Sequence, residues 1–109
     1  MKEILEKIEQ KVKEHPVVLF MKGTPEEPLC GFSAETARIL RTLDVEFHAV
    51  DVIGEPEYRE AVKAYSNWPT IPQLFIAGEF IGGCDITRQL YQSGELQRKL
   101  SSLSTKEKE

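Results

Sequence analysis

Residues 17–33 read VVLFMKGTPEEPLCGFS, from Val17 to Ser33. The first five form a continuous apolar run, rich in β-branched and aromatic side chains, which predicts a buried strand. Gly23, Pro25 and Pro28 exclude regular structure from Lys22 to Leu29. Beyond them, Ala34, Ala37, Leu40 and Leu43 suit a helix from Gly31 to Leu43. Cys30 then stands at the N-cap or first position of that helix. Free backbone N–H groups and the positive end of the helix dipole stabilise a thiolate there. Lys22 adds positive charge if the loop folds back. The sulfur is expected to be a better nucleophile and metal ligand than a buried thiol.

Reading outward, Ile4, Leu5, Ile8 and Val12 share one face of an amphipathic helix over Lys2–Glu14, which Pro16 ends. Val45 to Val52 alternates in part and predicts a second strand. Gly54-Glu55-Pro56 punctuates, and a helix follows to about Ser66. Asn67 to Pro72 is a loop with two prolines. Gln73–Ala77 and Phe80-Ile81 read as a hairpin around Gly78-Glu79. Gly82-Gly83 breaks it. Asp85 is a good N-cap for a helix to Ser93, and Gly94 a good stop. Leu96, Leu100 and Leu103 continue a helical pattern, and the tail SSLSTKEKE ends in solvated charge. A strand–helix–strand unit followed by a helix and a hairpin predicts an α/β fold. Its centre is a mixed sheet with helices on both faces. No repeat or second domain is visible.

The 109 residues suffice for one core, and 40% hydrophobic with 29% charged residues is a soluble globular balance. A net charge of −4, with both signs interspersed, argues against a nucleic-acid surface. No apolar run approaches the ~20 residues of a membrane span. The N-terminus, MKEILEKIEQKVKEH, is too charged for a signal peptide, so a cytoplasmic protein is expected. Cys30 and Cys84 are too few for a disulfide scaffold and read as free thiols.

C-x-x-C after a strand reads as a redox dithiol. Here the motif is C-x-x-S, and Ser33 cannot resolve a mixed disulfide. Cys84 replaces the missing thiol only if its Cα lies within ~7 Å of that of Cys30. His15 and His48 lack metal-ligand spacing and read as surface or strand residues. Trp68, before Pro69, reads as a packing residue.

MKGTPEEPLCGFS at 21–33 and WPTIPQLFIAGEFIGGCDI at 68–86 together resemble the CGFS-type monothiol glutaredoxins. The similarity extends from about Ile4 to Leu100. The resemblance implies one glutaredoxin domain over 1–109, and the solvated charges at its end predict a flexible tail over about 104–109. It also implies a thioredoxin-like fold with a central four-stranded mixed sheet. A cis bond before Pro72 is implied, turning the backbone of Ile71 towards bound glutathione. By similarity, Lys22 and Arg59 hold its glycine carboxylate. The N–H groups of Cys84 and Asp85 meet its γ-glutamyl carboxylate at a helix start. The Asp85 side chain takes its ammonium, caps the helix, or does both. The Cys84 thiol is given no task, and a buried inert thiol is the expectation.

A [2Fe–2S] cluster takes four thiolates. The resemblance implies that two chains each give Cys30 and two glutathione thiols complete the set. The homodimer is then a cluster carrier, and the longer loop before Cys30 favours metal ligation over thiol–disulfide exchange. BolA-like proteins and apo iron–sulfur proteins are the implied partners. A second function stays open: a glutathione-dependent oxidoreductase that uses Cys30 alone, with at most weak activity.

Overall fold

β1 (Val17–Met21) is buried at every residue because it has a strand on each side and helices above and below. The structure, a computed structural model, describes residues 1–108, with side chains described as far as Leu103. The remaining elements are α1 (Lys2–Glu14), α2 (Gly31–Thr42), β2 (His48–Asp51), α3 (Glu57–Ser66), β3 (Gln73–Ile76), β4 (Glu79–Gly82), α4 (Cys84–Ser93) and α5 (Glu95–Lys108). The sheet order is β2-β1-β3-β4. β1 runs parallel to β2, with Val18 opposite His48, and antiparallel to β3, with Val18 opposite Phe75.

The alternation of β1 divides the core in two. Val18 and Phe20 pack with Ile8 and Val12 of α1, Tyr58, Ala61 and Val62 of α3, and Phe75. Val17, Leu19 and Met21 pack with Ala37, Ile39 and Leu40 of α2 and with Leu96 and Leu100 of α5. Each buried Val, Leu, Ile, Phe or Met among them stabilises the fold by about 1.5–3 kcal/mol relative to exposure. Helices thus cover both faces of a mixed four-stranded sheet, the thioredoxin-like arrangement.

Several boundaries differ from the sequence reading. β2 is confined to His48–Asp51. Val45 and Phe47 pack, partly buried, against the α2 side of the core without joining the strand. The hairpin turn is Ala77-Gly78, one residue earlier than predicted. Its φ angles of 53° and 79° are the positive pair that a type I′ turn requires. Gly83 is the N-cap of α4, so Asp85 is the second helical residue and does not cap the helix with its side chain. α5 continues beyond Leu103 to Lys108. The flexible tail expected over 104–109 concerns side chains that lie outside the described residues.

The loop from Lys22 to Leu29 is closed on itself. Leu29 N–H donates to Lys22 C=O at 2.9 Å, and Thr24 and Glu27 exchange backbone hydrogen bonds at 3.2 and 3.1 Å. Gly23 makes this possible, with φ +86° in the left-handed region. A Cβ there would lie 2.5 Å from Glu27 O and 2.7 Å from Leu29 N. Asp51, at the end of β2, fastens the loop: its Oδ1 accepts the N–H groups of Gly23 and Ile53, both at 2.9 Å. The carboxylate of Glu26 meets Arg41 of α2 at 2.6 Å on the outer side.

Candidate functional site

Cys30 is the N-cap of α2, with extended φ −152° and ψ 135°. Its sulfur therefore faces the N–H groups that the first turn leaves without intrahelical partners. The thiol is drawn below its ordinary pKa, chiefly by the backbone N–H of Ser33. Burial opposes this, while the N–H of Phe32, the charge of Lys22 and the hydroxyl of Ser33 act in the same direction as the Ser33 amide. The site thus favours thiolate, the nucleophilic and metal-binding form.

Ser33 is fully buried. Its hydroxyl oxygen accepts the backbone N–H of Lys22 at 3.0 Å, so the residue joins the end of β1 to the start of α2. Sequence reasoning took Ser33 only as an absent thiol. No local signal marks this joint, because the fold alone brings the end of β1 to Ser33.

A cleft of about 490 Å³ opens beside Cys30. Lys22, Cys30, Ile71, Cys84 and Asp85 all line it. The Ile71–Pro72 bond is cis, as the resemblance implied. Gln73, buried beneath the loop, donates through Nε2 to the carbonyls of Trp68 and Thr70 at 3.0 and 3.1 Å. It thereby sets the wall formed by Trp68, Pro69 and Thr70. The starts of α2 and α4 both open on this cleft, so two positive dipole ends and two lysines converge in a chain of net charge −4. The surroundings suit an anionic ligand.

Five of the six sequence-predicted site residues meet here: Lys22, Cys30, Ile71, Cys84 and Asp85. Arg59 does not line the cleft; it is exposed on α3. Lys63 lines it instead, one helical turn further on, with its ammonium 3.2 Å from Glu60. The i, i+4 spacing from Arg59 was the available signal for Lys63. The Cys84 thiol is buried, 5% exposed, with Arg88 donating to its sulfur at 3.3 Å. Both cysteines are free thiols.

Five large apolar side chains are exposed among the described residues, and three of them ring the site. Leu29 and Phe32, at 65% and 61% exposure, flank Cys30, and Trp68, at 37%, stands across the cleft against Phe80. Trp68 both packs and lines the cleft. Clustered apolar exposure of this kind marks a surface that another molecule covers.

The glutaredoxin family model matches residues 17–81. A probable monothiol glutaredoxin 2 of Rickettsia felis is 54% identical over 93 residues, covering 85% of this chain and 89% of the relative. The chain belongs to the monothiol glutaredoxin family. Glutaredoxin 4 of Haemophilus influenzae is 45% identical over 104 residues, 95% of this chain and 97% of its own. Among solved structures, reduced apo GrxS14 from poplar shares 48% identity at a TM-score of 0.76, covering 93% of this chain and 90% of that one. A buckwheat glutaredoxin–glutathione complex, 26% identical, superposes with a TM-score of 0.83 over 93% of this chain and 90% of that one. The monothiol character of the family corresponds here to Ser33, three residues after Cys30. No helix among the described residues is long and apolar enough to cross a membrane.

Proposed function

We propose that this monothiol glutaredoxin binds glutathione in the cleft beside Cys30 and, as a pair of chains, carries a [2Fe–2S] cluster as cargo. The carrying observation is the donor set. Cys30 is the one accessible thiol, its thiolate is favoured, and Cys84 is buried. No group of three or more His, Cys, Asp or Glu side chains among the described residues could hold a metal ion. Four thiolates are needed, so the residues present fit a shared cluster and not one enclosed by a single chain. Cys30 of each chain supplies one thiolate, and the thiol of each bound glutathione supplies another.

Within the cleft, Lys22 and Lys63 hold the glycine carboxylate, with Arg59 reaching from the preceding turn of α3. The backbone of Ile71 pairs with the cysteinyl unit. The N–H groups of Cys84 and Asp85 take the γ-glutamyl carboxylate, and the Asp85 side chain takes the ammonium. The ring of Leu29, Phe32 and Trp68 supports contact with a second protein surface, first a copy of this chain. BolA-like proteins and apo iron–sulfur proteins are further partners under this reading. Two free thiols suit a reducing compartment, and we place the protein in the cytoplasm.

Reconstitution with iron, sulfide and glutathione tests the proposal. A visible chromophore that is lost in Cys30→Ser and without glutathione is expected. A colourless protein, or colour that survives Cys30→Ser, contradicts it.

The lowered Cys30 thiol supports a second reading, monothiol reduction of glutathionylated proteins. The Cys30 thiolate attacks the glutathione sulfur of the mixed disulfide and releases the protein thiolate. A second glutathione thiolate then attacks that same sulfur, releasing Cys30 and glutathione disulfide. Sustained turnover in a glutathione-coupled assay supports this reading, and negligible turnover removes it.

A further inference from the structure

Arg88 joins the two residues that form the α4 end of the cleft. Its Nη1 lies 3.2 Å from Asp85 Oδ1, and its Nη2 donates to Cys84 Sγ at 3.3 Å. Spacings of three and four residues place all three side chains on one face of α4. The guanidinium group does not line the cleft, whereas both residues it grips do.

The group also lies close enough to α2 for its charge to be felt there. Glu35 of α2 has its carboxyl held low by hydrogen bonds from Arg38 at 2.7 and 3.1 Å and by the charges of Arg38 and Arg88. Arg88 therefore stands at the seam between the helix that starts at Cys30 and the helix that starts at Cys84. Its side chain is 39% exposed and that of Asp85 79% exposed. An exposed aspartate without a partner samples several rotamers. With Oδ1 facing the guanidinium, the carboxylate is biased towards one orientation and Oδ2 remains to accept from a ligand.

We propose that Arg88 is a positioning residue: through Asp85 it fixes the acceptor that reads the ammonium of a zwitterionic amino-acid head, the γ-glutamyl end of glutathione. This rests on the reading of the cleft as a glutathione site. Such a head carries an ammonium and a carboxylate side by side, so the direct Coulomb effects of Arg88 on it largely cancel. What remains is orientation. Arg88 therefore affects discrimination between ligands with and without the ammonium more than overall affinity.

Calorimetric titration of the full chain with glutathione and with its analogue lacking the γ-glutamyl amino group tests this. Wild type prefers glutathione by roughly three- to fivefold, the range of an exposed ion pair. Arg88→Ala loses most of that preference, because binding of glutathione weakens more than binding of the deamino analogue, whose lone carboxylate loses only the direct attraction of the guanidinium. Arg88→Lys restores part of it. Asp85→Asn abolishes the preference, and adding Arg88→Ala then changes nothing further. Equal weakening towards both ligands in Arg88→Ala, or an intact preference, overturns the inference. A wild type that binds both ligands equally overturns it while leaving the glutathione site standing. A wild type that binds neither overturns the glutathione reading and this inference with it. An exposed ion pair contributes too little to decide folding, so the variants remain folded.

Discussion

The hydroxyl oxygen of Ser33 accepts the backbone N–H of Lys22 at 3.0 Å, and Ser33 has no exposed surface. The position where a dithiol motif carries its second thiol is here a joint between β1 and the start of α2. The joint brings the Lys22 charge and the Ser33 hydroxyl to bear on the Cys30 sulfur, where both favour thiolate. The serine contributes to the environment of the remaining thiol.

Replacing Ser33 by Ala leaves the Lys22 N–H without its partner in a partly buried place. The expected loss is about 1–3 kcal/mol, the cost of an unsatisfied buried donor, read by urea denaturation. The midpoint of the pH dependence of Cys30 alkylation should rise as well. Unchanged stability together with an unchanged midpoint would show that the hydroxyl does neither job.

Lys22→Gln removes one charge and keeps the helix-start amides, which dominate the Cys30 shift. The thiol midpoint should rise yet stay below that of a free cysteine. Alkylation at neutral pH should slow by less than about fivefold, within the range of an exposed charge pair. The difference from wild type should shrink as salt is added. A midpoint returned to the ordinary thiol value would place the stabilisation on Lys22 and not on α2.

Gly23→Ala puts a side chain where Glu27 O and Leu29 N already stand, on a residue with φ +86°. The left-handed backbone alone costs about 1–2 kcal/mol, before any relief of the clash. The loop should open, giving faster amide exchange at Thr24, Glu27 and Leu29 and weaker glutathione binding. Wild-type exchange at these three amides would contradict the account of the loop.

His15 and His48 stack with ring centroids 4.1 Å apart and planes 8° apart, joining the end of α1 to β2. Burial pushes the His48 pKa down, and His15 and then Lys11 push it further, against smaller raising effects of Glu55 and Glu14. Folding therefore disfavours the protonated ring. The stability linked to His48 is complete above its unfolded pKa of about 6.5 and is lost as pH falls through the lowered folded value. Denaturation midpoints measured between pH 7.5 and 5 should fall more steeply in wild type than in His48→Phe. Parallel curves would exclude His48 as the source.

The register of the fold was legible where patterns are local. The VVLFM run, the Ile4–Val12 stripe and the punctuation by Pro16, Gly54 and Gly94 placed the strands and helices to within a few residues. Asp85 was misread as an N-cap because aspartate suits that position, yet the extended residue before the helix is Gly83. The Ser33 joint and the histidine stack stayed hidden because each depends on residues brought together only by the tertiary fold, whereas Lys63 carried a local signal, its helical spacing from Arg59. The partner of His48 lies 33 positions away in sequence, from 48 − 15. The cleft residues were legible through their order along the chain, while their convergence follows from the sheet order β2-β1-β3-β4.

The central claim is that one chain supplies one of the four thiolates its cargo needs. Native mass spectrometry of protein reconstituted anaerobically with iron, sulfide and glutathione tests it most directly. The account predicts a two-chain species carrying one [2Fe–2S] cluster and two glutathione molecules, reverting to single chains in Cys30→Ser. A single chain that retains the cluster, or a loaded pair without glutathione, would contradict it.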